Sequence, residues 1–368
     1  MSLQARLVAA LAVPFPAARA DDALEVLGSP GRRMLVQRRE DETAVHALED
    51  DPLRVGGETA RFPAPWPRRF GTSTVAPDGS LAVFTGTHAL RAVEPGGAVR
   101  WEVRHGCWYG ACREMHRSFD EYAGERNHRY PERGSAGFSA DGQLVWAHVR
   151  GPLPPGPLDG DTLDEWLVLD PRDGTVLARA DARAAAAGSV HVPHPDPRQM
   201  GLSIGEGQDG SPLRWGRWDG RQLTMDDFGG RDLVLIGVSP SGGRLLTVTH
   251  DQDRLAVLDA EGGSVLAEID AESAVARHPD TEPDNDEAEP YWDYGGGFLD
   301  ETDVVTSTVE SDEERGEGRH WLTDTSGARA PRRITYPVPV GGLPTALGDG
   351  TWCTTADDGA TLQVWSRP

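Results

Sequence analysis

The sequence predicts an all-β chain folded as a single β-propeller, most simply of seven four-stranded blades, and three observations point there. First, residues 72–103 (TSTVAPDGSLAVFTGTHALRAVEPGGAVRWEV) hold four short alternating apolar runs, divided by turn signals at 77–79, 86–88 and 95–97. Such runs, split by glycine-containing turns, form an antiparallel meander, and a four-stranded meander that recurs along a chain is a propeller blade. Second, the same cadence returns at 139–182 and at 239–271. Third, residues 341–368 offer only three strands (LPTALG, TWCTTA, TLQVWS), while the strand-like stretch Gln4–Val13 has no blade of its own. A ring closes, and loses two exposed edges, when one end of the chain supplies the strand missing at the other.

Taken in order, blade one is expected over 24–62, with MLVQR and TAVHALE as its clearest strands, and blade two over 69–104. Blade three follows at 134–182, and blade four at 188–228 through HVPHP, QMGLSIG, PLRWGRW and RQLTMDDF. Blade five spans 232–271, blade six 293–337, and blade seven 341–368 together with 4–13. These segments resemble, in divergent form, the blades of the WD40-like and quinoprotein-like propeller superfamily, over nearly the whole chain. The resemblance implies the fold; its motifs are structural and name no activity.

Composition narrows the partners. The net charge of −23 repels nucleic acid and anionic membrane alike, and favours a protein or basic peptide. Every basic side chain other than histidine is arginine, which with the abundance of Ala, Gly and Pro reads as high-GC coding bias of a bacterial type. Three cysteines, Cys107, Cys112 and Cys353, make no disulfide framework, and no apolar run is long enough to span a bilayer. Residues 1–20 imitate a secretory signal with Ala18-Arg19-Ala20 as its cleavage site, but Pro14 and Pro16 end the apolar run early. The closing-strand reading of the same residues is preferred, so the expectation is a cytoplasmic monomer, with secretion as the alternative.

Strand order also orients the disc. In an up-and-down blade with strands a to d, the a–b and c–d turns lie on one face, and the b–c loops and d–a links on the other. The a–b and c–d turns here are short (PDG, ADG, PGG, RDG, WDG, EGG). Every long insertion falls opposite: the d–a links 105–133 and 272–292, and the b–c loops 151–163, 205–212 and 310–319. Long loops on a rigid scaffold are where binding residues sit.

Within 105–116 (HGCWYGACREMH), His105, Cys107, Cys112 and His116 present four nitrogen and sulfur ligands at spacings that suit zinc, although no standard zinc signature matches in full. Free thiols beside surface histidines, or a local Cys107–Cys112 disulfide, are the alternatives, and no other cofactor is assigned. The acidic run 280–293 fails as a calcium loop, because Asn285 stands where an EF-hand starting at Asp280 needs glycine. With the acidic loop 310–318 it instead frames Tyr291, Trp292 and Tyr294, together with Asp293, as a site for a cationic peptide. Trp108 and Tyr109, and Glu206 and Asp209 in a b–c loop, are the other expected contact residues. Trp292 has a competing reading as a buried strand anchor, and Trp108, with Phe119 and Tyr122, has one as a pin that holds the long loop to the disc.

Two catalytic look-alikes are discounted. Gly201-Leu202-Ser203-Ile204-Gly205 spells GxSxG, but Ser203 falls inside a strand rather than at a strand-to-helix elbow. The run 205–210 spells GxGxxG, but a strand follows where a dinucleotide site needs a helix. His88, His148, His250 and His320 recur near the elaborated ends of strands. The expected function is therefore non-catalytic: a recognition or scaffold propeller that binds protein or peptide on its loop-rich face. A hydrolytic or metal-assisted enzyme with its site in the central funnel is the alternative. A quinone-dependent oxidoreductase ranks behind both, since no cofactor ligands are assigned.

Overall fold

The computed structural model describes residues 2–14, 23–28, 31–51, 53–109, 112, 115–128, 132–154, 156, 163–278, 289–310, 318–326, 329–356 and 359–368. They form seven antiparallel sheets in sequence order around a ring. Blade one comprises Ala23–Leu27, Arg33–Arg38, Glu42–Asp50 and Leu53–Pro63, and blade two Gly71–Val75, Ala82–Gly86, Ala89–Val93 and Val99–Arg104. Blade three comprises Ala136–Phe138, Val145–Arg150, Asp164–Leu169 and Val176–Asp181, and blade four Gly188–Pro193, Gln199–Gly205, Leu213–Trp218 and Leu223–Asp226. Blade five comprises Leu233–Val238, Arg244–Thr249, Arg254–Asp259 and Val265–Asp270, and blade six Pro290–Phe298, Asp303–Glu310, Arg319–Asp324 and Arg332–Thr335. Gly341–Ala346, Thr351–Thr355 and Thr361–Ser366 make the first three strands of blade seven.

The fourth strand of blade seven is Arg6–Ala12, which runs antiparallel to Thr361–Ser366 with Leu11 opposite Leu362 and Leu7 opposite Trp365. The closure expected of Gln4–Val13 is thus observed. One feature was not legible: Leu3–Gln4 adds to blade six as a fifth strand, parallel to Arg332–Thr335, with Leu3 opposite Ile334. The Ala5 N–H then donates to the Thr335 carbonyl at 2.9 Å, so one short segment seams blades six and seven. Arg33 joins the other side of the seam. Its guanidinium, 4% exposed, donates to the Leu347 carbonyl at 2.8 Å and pairs with Asp349 at 2.7 Å, tying blade one to blade seven.

Each blade is covered by a neighbour on both sides, so its two middle strands are buried on both faces. All of Asp164–Leu169 is buried, whereas the outer strand Val176–Asp181 is half-buried or exposed throughout. This explains why the middle strands are rich in β-branched and aromatic residues on both faces, while outer strands alternate with polar ones. The core therefore lies between blades. Ala76, Leu81, Val83 and Leu90 of blade two meet Phe138, Val145, Ala147 and Leu167 of blade three. All eleven tryptophans are buried, and Trp146, Trp166, Trp215, Trp292, Trp352 and Trp365 are completely so.

The plain-face turns are glycine-dependent. Gly242, in the a–b turn of blade five, has φ +80°, and a Cβ there would stand 2.2 Å from His194 Nε2. That imidazole nitrogen sits 2.9 Å from the Gly242 carbonyl, so the glycine lets blades four and five close on each other.

Candidate functional site on the loop-rich face

The link 105–133 leaves the outer strand of blade two and returns to the inner strand of blade three. The chain first dives inward: the Trp108 N–H donates to the Thr87 carbonyl at 2.9 Å, and the indole packs edge-on to His148 with ring centroids 5.5 Å apart. It then folds back through two short 3-10 turns, Phe119–Glu121 and Arg126–His128. Tyr122, completely buried, bonds through its hydroxyl to His88 Nδ1 at 2.7 Å and stacks on His128 at 4.9 Å. An aromatic plug thus anchors the link to the disc.

This folding gathers Cys107, Cys112, His116 and His128, whose ligand atoms all lie within 4.8 Å of one another. His128 Nε2 stands 3.4 Å from both Cys107 Sγ and Cys112 Sγ, and His116 Nε2 stands 3.5 Å from Cys112 Sγ. The Tyr109 N–H points at Cys107 Sγ, 3.4 Å away. On the far side of each ring, His116 Nδ1 faces Glu121 at 3.3 Å, and His128 Nδ1 faces Glu125 at 3.1 Å. Cys107 and His128 are buried, Cys112 and His116 half-buried. Burial pushes the Cys107 thiol up to about 12.

His105, counted among the ligands from its spacing, is not in this group. It directly follows the outer strand of blade two and is completely buried, with Nδ1 2.6 Å from the Gly106 carbonyl. His128 takes the fourth place. The sequence carries no spacing signal for this exchange, since Glu102 sits three residues from His105 just as Glu125 sits three residues from His128.

The expected aromatic anchors need correction. Trp108 is 1% exposed and Trp292 is 0% exposed, so neither presents a surface to a partner. Trp292 belongs to the core between blades five and six, and its indole N–H donates to the Ile269 carbonyl at 3.0 Å. Tyr109, Tyr291 and Asp293 are half-buried, and Tyr294 beside them is exposed. Glu206 is engaged: its carboxylate accepts the Ala185 N–H at 2.6 Å. The acidic stretches 280–288 and 311–317 lie outside the described residues.

Asp209, among the expected contact residues, lines an open concavity. This cleft of about 360 Å³ lies between blades four and five and is bounded by Gln208–Gly210, Asp232 and Thr249–Arg254, apart from Gln252. Its floor is held by hydrogen bonds: Ser211 Oγ meets His250 Nδ1 at 2.8 Å, and the Ser211 N–H donates to Asp232 at 3.2 Å. Tyr294 reaches over from blade six, and its hydroxyl donates to the His250 carbonyl at 2.8 Å. Asp209, Asp232 and Asp251 are exposed. The one guanidinium, Arg254, is drawn away by Glu268 at 2.9 Å and Asp253 at 3.4 Å. Among the described residues, no cation pairs with Asp209, Asp232 or Asp251.

The recurring histidines each have their own partner. His88 bonds Tyr122, His250 bonds Ser211, and His320 Nδ1 lies 2.7 Å from the Tyr336 hydroxyl. His148 Nδ1 lies 3.0 Å from Ser189 Oγ. Ser203 sits in the second strand of blade four, where its hydroxyl accepts the Leu235 N–H at 2.7 Å. That bond stitches blade four to blade five.

The sheet order and the ring of blades define a seven-bladed propeller of four-stranded sheets. Solved structures that it resembles are WD40 propellers. U3-55K superposes with a TM-score of 0.53 at 10% identity, over 96% of this chain and 98% of that one. The Neurospora crassa Pan2 WD40 domain superposes with a TM-score of 0.52 at 11% identity, over 100% of this chain and 95% of that one. The likeness is one of fold. No family model and no curated protein matches the chain. No helix among the described residues is long and apolar enough to cross a membrane.

Proposed function

We propose that this protein is a non-catalytic recognition propeller that receives an arginine- or lysine-bearing segment of a partner protein in the cleft between blades four and five. The observation that carries the reading is the convergence of Asp209, Asp232 and Asp251, exposed and without a cationic partner, on one concave surface of the loop-rich face. A guanidinium or ammonium placed there meets carboxylates from three different loops. Tyr294 at the rim supplies an exposed aromatic edge against which the aliphatic stem of such a side chain packs. The overall charge of −23 adds a long-range field that draws a basic partner in. The WD40 fold of the structural neighbours agrees with a protein-binding role of this kind.

The test is a titration of a fluorescently labelled hexa-arginine peptide at low and at physiological salt. Asp209→Asn with Asp251→Asn is compared against a control pair on the opposite face, Asp51→Asn with Glu261→Gln, which changes the net charge equally. Two lost charge contacts at roughly 0.7 kcal/mol each amount to about a tenfold loss of affinity for the cleft variant. The control pair should weaken binding less than threefold. Equal losses from both pairs would mean that only net charge attracts the peptide, and would refute the cleft.

A further inference from the structure

We infer that Cys107, Cys112, His116 and His128 hold one zinc ion, which staples the link between blades two and three.

The geometry fits an ion of that class. A tetrahedral zinc takes sulfur at about 2.3 Å and imidazole nitrogen at about 2.0–2.1 Å. Two such ligands at a tetrahedral angle stand roughly 3.5 Å apart, from the same bond lengths. Three of the four sulfur–nitrogen separations here are 3.4, 3.4 and 3.5 Å. All four ligand atoms fall within 4.8 Å, so a single small ion at their centre reaches each of them with sub-ångström adjustments.

The surroundings fit as well. Both imidazoles offer Nε2 to the centre and turn Nδ1 to a carboxylate, His116 to Glu121 and His128 to Glu125. At His116 the hydrogen bond to that outer carboxylate fixes the tautomer in which Nε2 is the free ligand and makes the ring a better donor. The Tyr109 N–H directed at Cys107 Sγ stabilises a thiolate in the same way. Two thiolates neutralise the dication, which lets the centre sit beside the buried stack of Tyr122 on His128. Two cysteines and two histidines suit zinc rather than calcium or magnesium, which take oxygen ligands. Four protein ligands close the coordination sphere, so the role is structural and no position is left for a reacting water.

The consequence is local. A link with little regular structure gains a cross-link among residues 107, 112, 116 and 128, which orders the part of the loop-rich face between blades two and three. Binding energy for the ion becomes folding energy for that link.

The full chain is purified from zinc-supplemented cells and its metal measured by elemental analysis, with about one zinc per chain expected. After chelation, cobalt(II) is added to the wild-type protein. A tetrahedral site with two thiolates gives visible ligand-field bands and a thiolate-to-cobalt charge-transfer band, whether or not any variant folds. Cys112→Ser and His128→Gln should each retain less than a tenth of the zinc, while His105→Gln should retain it. Hydrogen exchange in residues 105–133 should slow at least tenfold when zinc is restored to the chelated protein. Three results would overturn the assignment: wild-type protein that takes up neither metal, a cobalt spectrum without the thiolate band, and a Cys107–Cys112 disulfide found by mass under native alkylation. Zinc lost from His105→Gln but kept by His128→Gln would overturn it too.

Discussion

Ring closure makes the most direct prediction, because one strand contains both its test and its control. Leu11 is 5% exposed and lies among Leu35 and Leu48 of blade one and Leu347, Leu362 and Val364 of blade seven. Val8, three residues earlier on the same strand, is 44% exposed. Leu11→Ala leaves a cavity at the seam and is expected to cost about 2–5 kcal/mol, whereas Val8→Ala should stay within about 0.5 kcal/mol of wild type. Unfolding entropy near 2.1 cal/mol/K per residue gives roughly 0.8 kcal/mol/K over 368 residues. A 3 kcal/mol loss therefore moves the melting temperature by only about 4 °C, and urea unfolding followed by tryptophan fluorescence is the better assay. Removing residues 2–13 exposes the whole edge of Thr361–Ser366 and uncovers the apolar seam. Against total stabilities of roughly 5–15 kcal/mol, the truncated protein should not fold alone. A synthetic peptide of residues 2–14 should restore its cooperative transition by mass action, since it binds only the folded ring. A truncated protein that unfolds with the wild-type midpoint, or a Leu11→Ala loss no larger than that of Val8→Ala, would show that this strand does not close the ring.

Two further outcomes follow from the buried groups. Trp292→Ala should lower the urea-unfolding free energy by about 3–5 kcal/mol, through the lost volume and the orphaned Ile269 carbonyl, and should leave hexa-arginine affinity within twofold of wild type in the fraction that folds. Acid should destabilise the fold: burial holds His148 at about 3 and His320 at about 4, so stability present above the unfolded value of 6.5 is lost as pH falls toward 4. Each imidazole contributes up to about 1.4 kcal/mol per pH unit, and burial shifts His191 the same way. Asp164, raised by burial to about 6, works oppositely and offsets one of them, so unfolding free energies measured at pH 6 and pH 4.5 should still decline; a flat profile would refute the balance.

The architecture was readable because its determinants are local. Strand alternation and turn glycines repeat within each blade, so the blade at 72–103 taught the pattern for the rest, and the missing strand of blade seven pointed to its donor. The fifth strand of blade six was hidden because Leu3–Gln4 is a two-residue pairing, with no periodicity to detect and only a backbone edge to accept it. The aromatic residues were misplaced for a related reason. Trp292 is the third residue of a nine-residue strand whose register with Asp303–Glu310 shifts between Trp292 and Gly296. Alternation counted along Pro290–Phe298 therefore does not tell which face of the strand Trp292 occupies. His105 and His128 differ in a way that spacing does not capture. The first directly follows an outer strand and is buried there, and the second returns through two tight turns whose path depends on Tyr122 docking against His88.

Strand parity explains why the cleft and the cysteine–histidine cluster share a face. With antiparallel order inside every blade, the chain crosses the disc an even number of times between one d–a link and the next b–c loop, and both must emerge on the same side. Insertions there lengthen only connections that already run over the surface, and closing a longer loop costs little, about 0.6 kcal/mol per doubling. The opposite turns have no such freedom. Gly242 shows why: its positive φ and its approach to His194 are shared by two blades, so a longer turn there would break an interblade contact rather than extend a loop. Elaboration is thereby confined to the face where Asp209, Asp232 and Asp251 meet. The rigid interblade core of tryptophans beneath fixes the spacing of the loops that carry them. Asp209, Asp232 and Asp251 are kept apart because each is mounted on a separate loop, and the repulsion among three like charges is screened by their exposure to water.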